Sequence, residues 1–118
     1  MTLNVCIIGA GRIAKSHIKN ILGNPKFNLV CILDIIELKA KNLARTNNCD
    51  YSTNFEYLIE NNDNIDAVFI TTITNTHHYI TKNCLGINLH VFCEKPIGQN
   101  EQEINECFDL AKKNNLKL

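Results

Sequence analysis

The stretch Leu3-Asn4-Val5-Cys6-Ile7-Ile8-Gly9-Ala10-Gly11-Arg12-Ile13-Ala14 decides the fold. Apart from Asn4, its first six residues are apolar, which is typical of a strand that is buried on both faces of a sheet. A glycine-rich turn follows, and residues 12–22 then carry apolar side chains at helical spacing. A strand, a tight turn and a helix in this order predict the first unit of a parallel sheet that is covered by helices.

The rest of the chain repeats this alternation of short apolar runs and helix-like stretches. Further strands are predicted at 28–34, 66–71 and 89–93, and further helices at 36–45, at about 77–87 and to about residue 114, with a short helix to residue 60 capped from Ser52-Thr53-Asn54. Asn100, with Glu103 three residues later, begins the last helix, and its inner face is predicted to carry Ile104, Cys107, Phe108 and Ala111. We therefore expect an α/β fold, a doubly wound parallel sheet.

Length and charge exclude several classes of protein. The 118 residues are enough for one domain, and 12 basic residues balance 12 acidic ones, so the formal net charge is zero. This balance argues against a nucleic-acid partner. No apolar run approaches the ~18–20 residues that a membrane span needs, and the N-terminus has no basic flank of the kind that precedes a signal peptide. We expect no membrane partner and a cytoplasmic location.

The six cysteines stand singly along the chain, and there is no C-x-x-C pair. Without an export signal, a reducing compartment is expected, so the sequence predicts free thiols rather than a disulfide framework. Cys6, Cys31 and Cys93 lie in strand-like runs, where a cysteine behaves as a small core hydrophobe. We expect no metal site, because no ligand set with the spacing of a zinc site is present.

The turn Gly9-Ala10-Gly11-Arg12-Ile13-Ala14 fits the pattern G-x-G-x-x-G/A of dinucleotide-binding turns. Gly9 allows the tight turn, Gly11 lets backbone N–H groups approach a pyrophosphate, and Ala14 keeps helix and strand close. The free N–H groups at the start of the helix, together with its positive dipole end, attract the anion. The alternative is a glycine turn in a flavodoxin- or receiver-like fold.

Asp34 ends the second predicted strand, 20 residues after Ala14. A carboxylate at this place can accept hydrogen bonds from the ribose hydroxyls of an adenosine. Neither Ile35 nor Ile36 is a cation that could hold a 2′-phosphate, and Asp34 would repel one, so NAD is favoured over NADP. The alternative is that Asp34 only caps the next helix.

Polar residues also follow the next strand, as Thr72-Ile73-Thr74-Asn75-Thr76-His77-His78. Ligands of open α/β sheets bind outside the carboxyl ends of the strands, so this loop should face a cofactor. Its hydroxyls, amide and imidazole can bind a ribose, but they can equally form an ordinary helix cap. His77 and His78 are not expected to share a metal ion, because neighbouring residues on a helix point ~100° apart.

Glu94-Lys95-Pro96 follows the strand at 89–93, again at a carboxyl end. A partly buried lysine amine at this place can give or take a proton, or hydrogen-bond a substrate hydroxyl. The alternative is a solvated Glu–Lys pair before a turn proline.

Taken together, the glycine turn, Asp34, residues 72–77 and Phe92-Cys93-Glu94-Lys95-Pro96-Ile97 resemble a known family. It is the glucose–fructose oxidoreductase / inositol dehydrogenase / rhizopine catabolism (Gfo/Idh/MocA) family, and the resemblance leans toward its inositol dehydrogenases. The match covers essentially the whole chain and corresponds to the N-terminal half of the family. The Glu-Lys-Pro tripeptide, 17 residues after His77, is the specific part, and the glycine turn is the generic part.

The resemblance implies a Rossmann-type NAD-binding domain over 1–118. In a longer enzyme this domain would serve hydride transfer between NAD and a CH–OH group of a sugar or polyol. Lys95 is implied as the catalytic residue, with a cis peptide bond between it and Pro96. The implied cofactor contacts are Gly9, Gly11, Arg12 and Ile13 for the pyrophosphate, Asp34 and Ile35 for the adenosine ribose, and Thr72, Asn75, His77, Glu94 and Lys95 for the nicotinamide side.

The resemblance also marks what is missing. Leu116-Lys117-Leu118 looks like the opening of another strand, so we expect a sheet that is incomplete at its C-terminus and a chain that lacks the family's second, α+β domain. Because the family's subunit contacts use that domain, the oligomeric state stays open, and a homo-oligomer is compatible with it. The rival interpretation is a stand-alone nucleotide-binding or regulatory module without turnover.

The chain departs from the family pattern at two positions. Ile73 stands where a proline commonly follows the loop threonine, and this substitution predicts a less rigid loop. Asn88 stands where the family usually has glycine, and asparagine tolerates the same left-handed backbone conformation at little cost.

Overall fold

The structure is a computed structural model that describes all 118 residues. Its five strands are β1 (Leu3–Ile8), β2 (Phe27–Leu33), β3 (Asp50–Ser52), β4 (Ala67–Ile70) and β5 (His90–Cys93). Its five α-helices are α1 (Arg12–Leu22), α2 (Glu37–Thr46), α3 (Glu56–Glu60), α4 (His77–Gly86) and α5 (Glu101–Lys113), with short 3₁₀ turns at Asn62–Asn64 and Thr74–Thr76. None of the helices combines the length and apolar character that a membrane crossing requires.

All neighbouring strands run parallel, in the order β3-β2-β1-β4-β5. From β1 the chain moves outward through β2 to β3, and it then returns to the other side of β1 to form β4 and β5. This order confirms the doubly wound α/β fold. The direction of winding changes between β1 and β4. Open α/β sheets have their ligand-binding crevice at such a point, outside the carboxyl ends of the strands.

The first strand is buried on both faces, as its apolar run predicts. Val5 and Ile7 pack with Ala14 and Ile18 of α1 on one face of the sheet. Cys6 and Ile8 belong to the larger core on the other face, where α3, α4 and α5 cover the sheet. The two cores hold β1 at the centre, so the turn that follows it is fixed from both sides.

The sequence analysis missed β3. Asp50, Tyr51 and Ser52 pair with Cys31, Ile32 and Leu33 of β2, at the edge of the sheet. The strand has only three residues, of which Asp50 and Tyr51 are exposed, so it has no apolar run that could reveal it. The predicted cap lies just beyond it, where the side chain of Asn54 accepts a hydrogen bond from the N–H of Glu56 at 2.9 Å.

The predicted capping residue of α5 is confirmed, but only some of the residues predicted for its inner face are buried. The side chain of Asn100 accepts a hydrogen bond from the N–H of Glu103 at 2.9 Å. Cys107 and Ala111 are buried as predicted. Phe108 is 45% exposed, so its assignment to the inner face was wrong. Phe108 follows Cys107 directly, so its side chain is turned ~100° around the helix axis from that of Cys107. It lies beside residues 115–118.

The last three residues lie beside β5 without forming a regular strand. The N–H of Val91 donates to the carbonyl of Lys117 at 3.0 Å, and the N–H of Lys117 donates to Nδ1 of His90 at 3.0 Å. The predicted strand opening is therefore present only as an isolated contact along the edge of β5.

Asparagine residues in the left-handed conformation follow three of the helices. Asn48, Asn88 and Asn115 have φ angles of 54°, 67° and 56°. At each helix end this conformation lets the chain turn away, which is the role that glycine more often has. The replacement of the family's usual glycine by Asn88 thus keeps the expected backbone.

Candidate functional site

The glycine turn connects β1 to α1 at the crevice. Gly9 has a φ of +103°, and a Cβ atom there would lie 2.7 Å from the backbone carbonyl carbon of Thr71. The side chain of Thr71 is buried, and its hydroxyl donates to the carbonyl of Gly9 at 2.8 Å. Only glycine fits this place, because any side chain would meet the backbone of the neighbouring strand end.

Gly11 differs from Gly9 in what surrounds it. A Cβ atom at Gly11 would meet no atom within 4 Å, and its φ of −88° is one that other residues adopt easily. The fold itself does not require glycine at this position. The open space lies at the start of α1, where no side chain caps the helix and no acidic residue occupies the first turn. Free N–H groups and open space together suit a bound anion.

Asp34 connects the end of β2 to the glycine turn. One carboxylate oxygen accepts the N–H of Ala10 at 2.8 Å, and the other accepts the N–H of Ile36 at 2.8 Å, just before α2. Ile36 is itself the N-cap residue of α2 and no side chain caps that helix, so the helix-capping alternative for Asp34 is wrong. Each oxygen retains a lone pair that can accept a hydroxyl from a ligand. Ile35, beside it, is 90% exposed.

A basic cleft of about 450 Å³ adjoins the turn, between the start of α1 and one side of α2 from Lys39 to Thr46. Its cations are Arg12, Lys15 and Lys39, and no carboxylate lines it. The sequence analysis singled out Arg12 alone, because the topology that brings Lys39 next to α1 is not visible in the order of residues. The cleft adds positive charge beside the free N–H groups of α1.

The loop after β4 is held by its own contacts. His77 is buried, with Nδ1 at 2.8 Å from the carbonyl oxygen of Pro96 and Nε2 at 3.0 Å from that of Thr72. Its ring thus joins the loop after β4 to the loop after β5. Thr72 is half-buried, and its hydroxyl accepts a hydrogen bond from Thr76 at 2.7 Å, whereas Asn75 is exposed.

Ile73 occupies the position at which the family pattern has proline. Its φ of −69° and ψ of 150° are those of an extended residue, and a proline ring would impose nearly the same φ. The loop therefore takes a proline-like path without the ring.

The segment Glu94-Lys95-Pro96 lies beside this loop. The N–H of Glu94 donates to the carbonyl of Ile70 at 3.0 Å, which extends the pairing of β4 with β5. The Lys95–Pro96 peptide bond is cis, as the resemblance implied. Lys95 is exposed and so lacks the partial burial that would lower the pKa of an amine, and its amine makes no hydrogen bond or ion pair within the chain.

His17 is the partner of Glu94, and sequence reasoning missed this pairing. Nε2 of His17 lies 2.5 Å from Oε1 of Glu94, and both side chains are mostly buried. His17 stands in α1 three residues after the buried Ala14. A polar residue on the apolar stripe of a helix was the one signal that could have identified it.

None of the groups whose pKa values are shifted is among the residues predicted to bind a cofactor. Burial raises the pKa of the Cys84 thiol to about 12 and that of the Cys107 thiol to about 11. Burial also raises the pKa of Cys93, next to Glu94. Hydrogen bonds from Lys82 and His78 lower the pKa of Glu106, between α4 and α5. All six cysteines are free, and no group of His, Cys, Asp and Glu side chains is arranged to hold a metal ion.

Known proteins resemble the chain in sequence and in fold. The inositol 2-dehydrogenase of Rhizobium meliloti (strain 1021) is 33% identical over 118 residues, which are all of this chain and 35% of that protein. The scyllo-inositol 2-dehydrogenase (NAD(+)) of Bacillus subtilis (strain 168) is 28% identical over 107 residues, which are 90% of this chain and 31% of that protein.

A solved structure from Sinorhizobium meliloti 1021, provisionally named a myo-inositol dehydrogenase, superposes with a TM-score of 0.91 at 32% identity. It covers 99% of this chain and 35% of its own. The chain thus spans about a third of the length of these relatives. Residues 3–118 match the family model described as the oxidoreductase family, NAD-binding Rossmann fold, so the chain belongs to the Gfo/Idh/MocA family of oxidoreductases and carries its NAD-binding fold.

Proposed function

We propose that residues 1–118 form the NAD-binding domain of a longer dehydrogenase, which oxidises a CH–OH group of a sugar or polyol. The observation that carries the proposal is the turn at Gly11. There a Cβ atom would project into open space, beside the uncapped N–H groups of α1. A position that the fold leaves free, but that the sequence fills with glycine, is suited to a ligand phosphate.

The residues around this turn fit the rest of a dinucleotide. Gly9, Gly11, Arg12 and Ile13 would hold the pyrophosphate, with Lys15 and Lys39 adding charge from the basic cleft. Asp34 and Ile35 would receive the adenosine ribose. On the other side of β1, Thr72, Asn75 and Glu94 would surround the nicotinamide ribose. His77 would keep the loop after β4 and the loop after β5 together, because its ring nitrogens contact the carbonyl oxygens of Thr72 and Pro96.

The exposed amine of Lys95 is the group that would contact the substrate. It stands at the carboxyl end of β5 without an internal partner, so it can hydrogen-bond a substrate hydroxyl and take part in moving its proton. Bound NAD would accept the hydride, because the cofactor carries the redox chemistry. The protein's task is then to orient the hydroxyl and to exclude water.

The substrate class rests on the relatives. The two sequence relatives described above are named inositol dehydrogenases, and the glycine turn and Glu-Lys-Pro segment stand in the part of the chain that matches them. We assign a small polyol or sugar as the substrate of the complete protein. In the complete protein, the family's second domain would supply the substrate pocket.

Cofactor preference tests the assignment of Asp34. Titration of NAD and NADP into the 118-residue chain, followed by calorimetry, should show NAD binding at least ~10-fold more tightly, because a carboxylate next to a 2′-phosphate is repulsive. Asp34→Asn is the matched variant, since it removes the charge and keeps the size of the side chain. Its single amide oxygen can accept only one of the two N–H groups, of Ala10 and Ile36, that the carboxylate accepts. We expect the substitution to reduce the preference for NAD. Equal or tighter binding of NADP by the unaltered chain would refute the role of Asp34.

Turnover distinguishes the dehydrogenase from a stand-alone binding module. The 118 residues alone should produce no NADH from a panel of inositols and sugars, because orientation of the substrate accounts for ~7–11 kcal/mol of a typical barrier and we assign the substrate pocket to the family's second domain. A longer form that includes the second domain should produce NADH. Binding of NAD without turnover in that longer form would favour the regulatory module instead.

A further inference from the structure

We infer that His17 is a positioning residue. It holds the Glu94 carboxylate against α1, away from Lys95, and thereby keeps the Lys95 amine free for a substrate. This inference deepens the proposed function and rests on it. His17 itself contacts neither cofactor nor substrate in this role, since it acts through Glu94.

The contact between His17 and Glu94 spans the site. His17 belongs to α1, the helix that begins at the glycine turn, and Glu94 belongs to the loop that carries Lys95. Nε2 and Oε1 lie 2.5 Å apart, and the two side chains are 16% and 27% exposed. A hydrogen bond to a charged group in such a sheltered place is among the stronger ones in a protein.

Packing fixes the orientation of the His17 ring. Its centroid lies 5.1 Å from that of Phe92 in an edge-on arrangement, and 5.9 Å from that of Phe69. These phenylalanines are paired neighbours on β4 and β5. The ring is therefore held by the sheet on one side and by its own helix on the other, and Nε2 points at a fixed place.

The backbone of Glu94 is fixed independently of this contact, because its N–H bonds to the carbonyl of Ile70. Only the side-chain torsions of Glu94 remain free. A carboxylate next to a lysine in sequence would otherwise form the solvated Glu–Lys pair that the sequence alone allows. His17 occupies the carboxylate instead, and the structure contains no ion pair between Glu94 and Lys95.

The chain offers a matched control for the histidine–glutamate contact. Nε2 of His78 lies 3.1 Å from Oε2 of Glu106, which also accepts a hydrogen bond from Lys82. This contact joins α4 to α5 on the opposite face of the sheet from α1. A substitution at His78 breaks a contact of the same chemical type without touching Glu94.

The first experiment needs no ligand. Acetylation of the lysines by a small activated ester is followed by mass spectrometry, in the unaltered chain and in His17→Phe. Phenylalanine keeps a ring against Phe69 and Phe92 but cannot donate to Glu94. The freed carboxylate should pair with Lys95 and slow its acetylation by about two- to fivefold, the range that a surface ion pair allows.

Two further variants assign the cause of the change. The double variant His17→Phe/Glu94→Gln removes the charge of the freed carboxylate, so the acetylation rate of Lys95 should return to that of the unaltered chain. His78→Gln should leave the rate unchanged. Equal rates for Lys95 in the unaltered chain and in His17→Phe would overturn the inference.

The second experiment uses NAD and ADP, because ADP has the adenosine and diphosphate but no nicotinamide ribose. His17→Phe should weaken NAD binding by roughly tenfold and ADP binding by less than about twofold, since a hydrogen bond to a charged group is lost on the nicotinamide side only. His17→Gln, which restores an N–H within reach of Glu94, should recover most of the NAD affinity.

The outcomes separate the two claims. An equal loss of NAD and ADP affinity would mean that His17 only stabilises the fold, and it would overturn the inference. An unaltered chain that binds neither ligand would contradict the proposed function, while the acetylation rates would still decide what His17 does to Glu94.

Discussion

The two sides of the crevice are built in different ways. At the glycine turn, the site consists of backbone: a positive φ at Gly9, open space at Gly11 and free N–H groups at the start of α1. On the side that we assign to the nicotinamide, it consists of side chains from distant parts of the chain, as in the contacts of His17 with Glu94 and of His77 with Pro96. The first kind of site follows from a short contiguous motif, whereas the second depends on the completed fold.

The largest effect should come from the backbone side. Gly9→Ala places a methyl group 2.7 Å from the backbone of Thr71, at a φ of +103°. We expect a loss of roughly 2–4 kcal/mol in the free energy of unfolding, from the strained backbone and from overpacking. Urea unfolding measures it, with Gly86→Ala as the control, because a Cβ atom at Gly86 meets no neighbour within 4 Å. Equal stability of the two variants would refute the account of the turn.

On the side-chain side, His77→Ala tests the junction of the two loops. The substitution removes a buried ring whose nitrogens contact the carbonyl oxygens of Thr72 and Pro96, so a partly buried carbonyl loses its N–H donor. We expect the free energy of unfolding to fall by about 2–3 kcal/mol. Tyr79→Ala, in the same helix but 71% exposed, should change it by less than about 0.5 kcal/mol. A similar small change in both variants would show that the ring does not join the loops.

Cysteine labelling compares the site with a region outside it. Cys93 precedes Glu94, whereas Cys49 precedes β3 at the edge of the sheet, and burial raises the pKa of both thiols, to about 11 for Cys49. Both should react slowly with iodoacetamide at pH 8, because little thiolate is present. Bound NAD should slow the labelling of Cys93 further and leave that of Cys49 unchanged. Equal protection of both would place the ligand elsewhere or indicate a general tightening of the fold.

The smallest effect concerns Glu106, which lies between α4 and α5 outside the site. Hydrogen bonds from Lys82 and His78 lower its pKa from the ordinary value of 4.5. A carboxyl whose pKa is lower in the folded state stabilises the fold above its ordinary pKa, and this contribution is lost as the pH falls through the folded value. The thermal midpoint of Glu106→Gln should therefore lie slightly below that of the unaltered chain at pH 6, and the difference should shrink as the pH falls below 4.5.

NAD affinity tests whether Glu106 lies outside the site. The Glu106→Gln substitution should leave that affinity unchanged. A change in affinity would show that the contact between α4 and α5 influences the nicotinamide side. A difference in thermal midpoint that does not shrink as the pH falls below 4.5 would contradict the assignment of the effect to ionisation.

The difference between a local motif and contacts of the completed fold also explains which features could be predicted from the sequence. The apolar run of β1 and the glycine turn predicted the parallel sheet and its crevice, because both signals are local. The short polar strand β3 and the exposed position of Phe108 could not be predicted, since edge pairing and the angle of a helix depend on neighbours that are remote in sequence. Nor could the partner of Glu94, which lies 77 residues away.

The central claim is that Gly11 is glycine for the sake of a ligand and not of the fold, and NAD affinity tests it most directly. Gly11→Ala and Gly86→Ala each add a methyl group where no atom lies within 4 Å, so both should alter the free energy of unfolding by about 1 kcal/mol or less. Calorimetric titration should show NAD affinity reduced by at least ~10-fold in Gly11→Ala, or ~1.4 kcal/mol, and unchanged in Gly86→Ala. Equal NAD affinity in the two variants would contradict the claim.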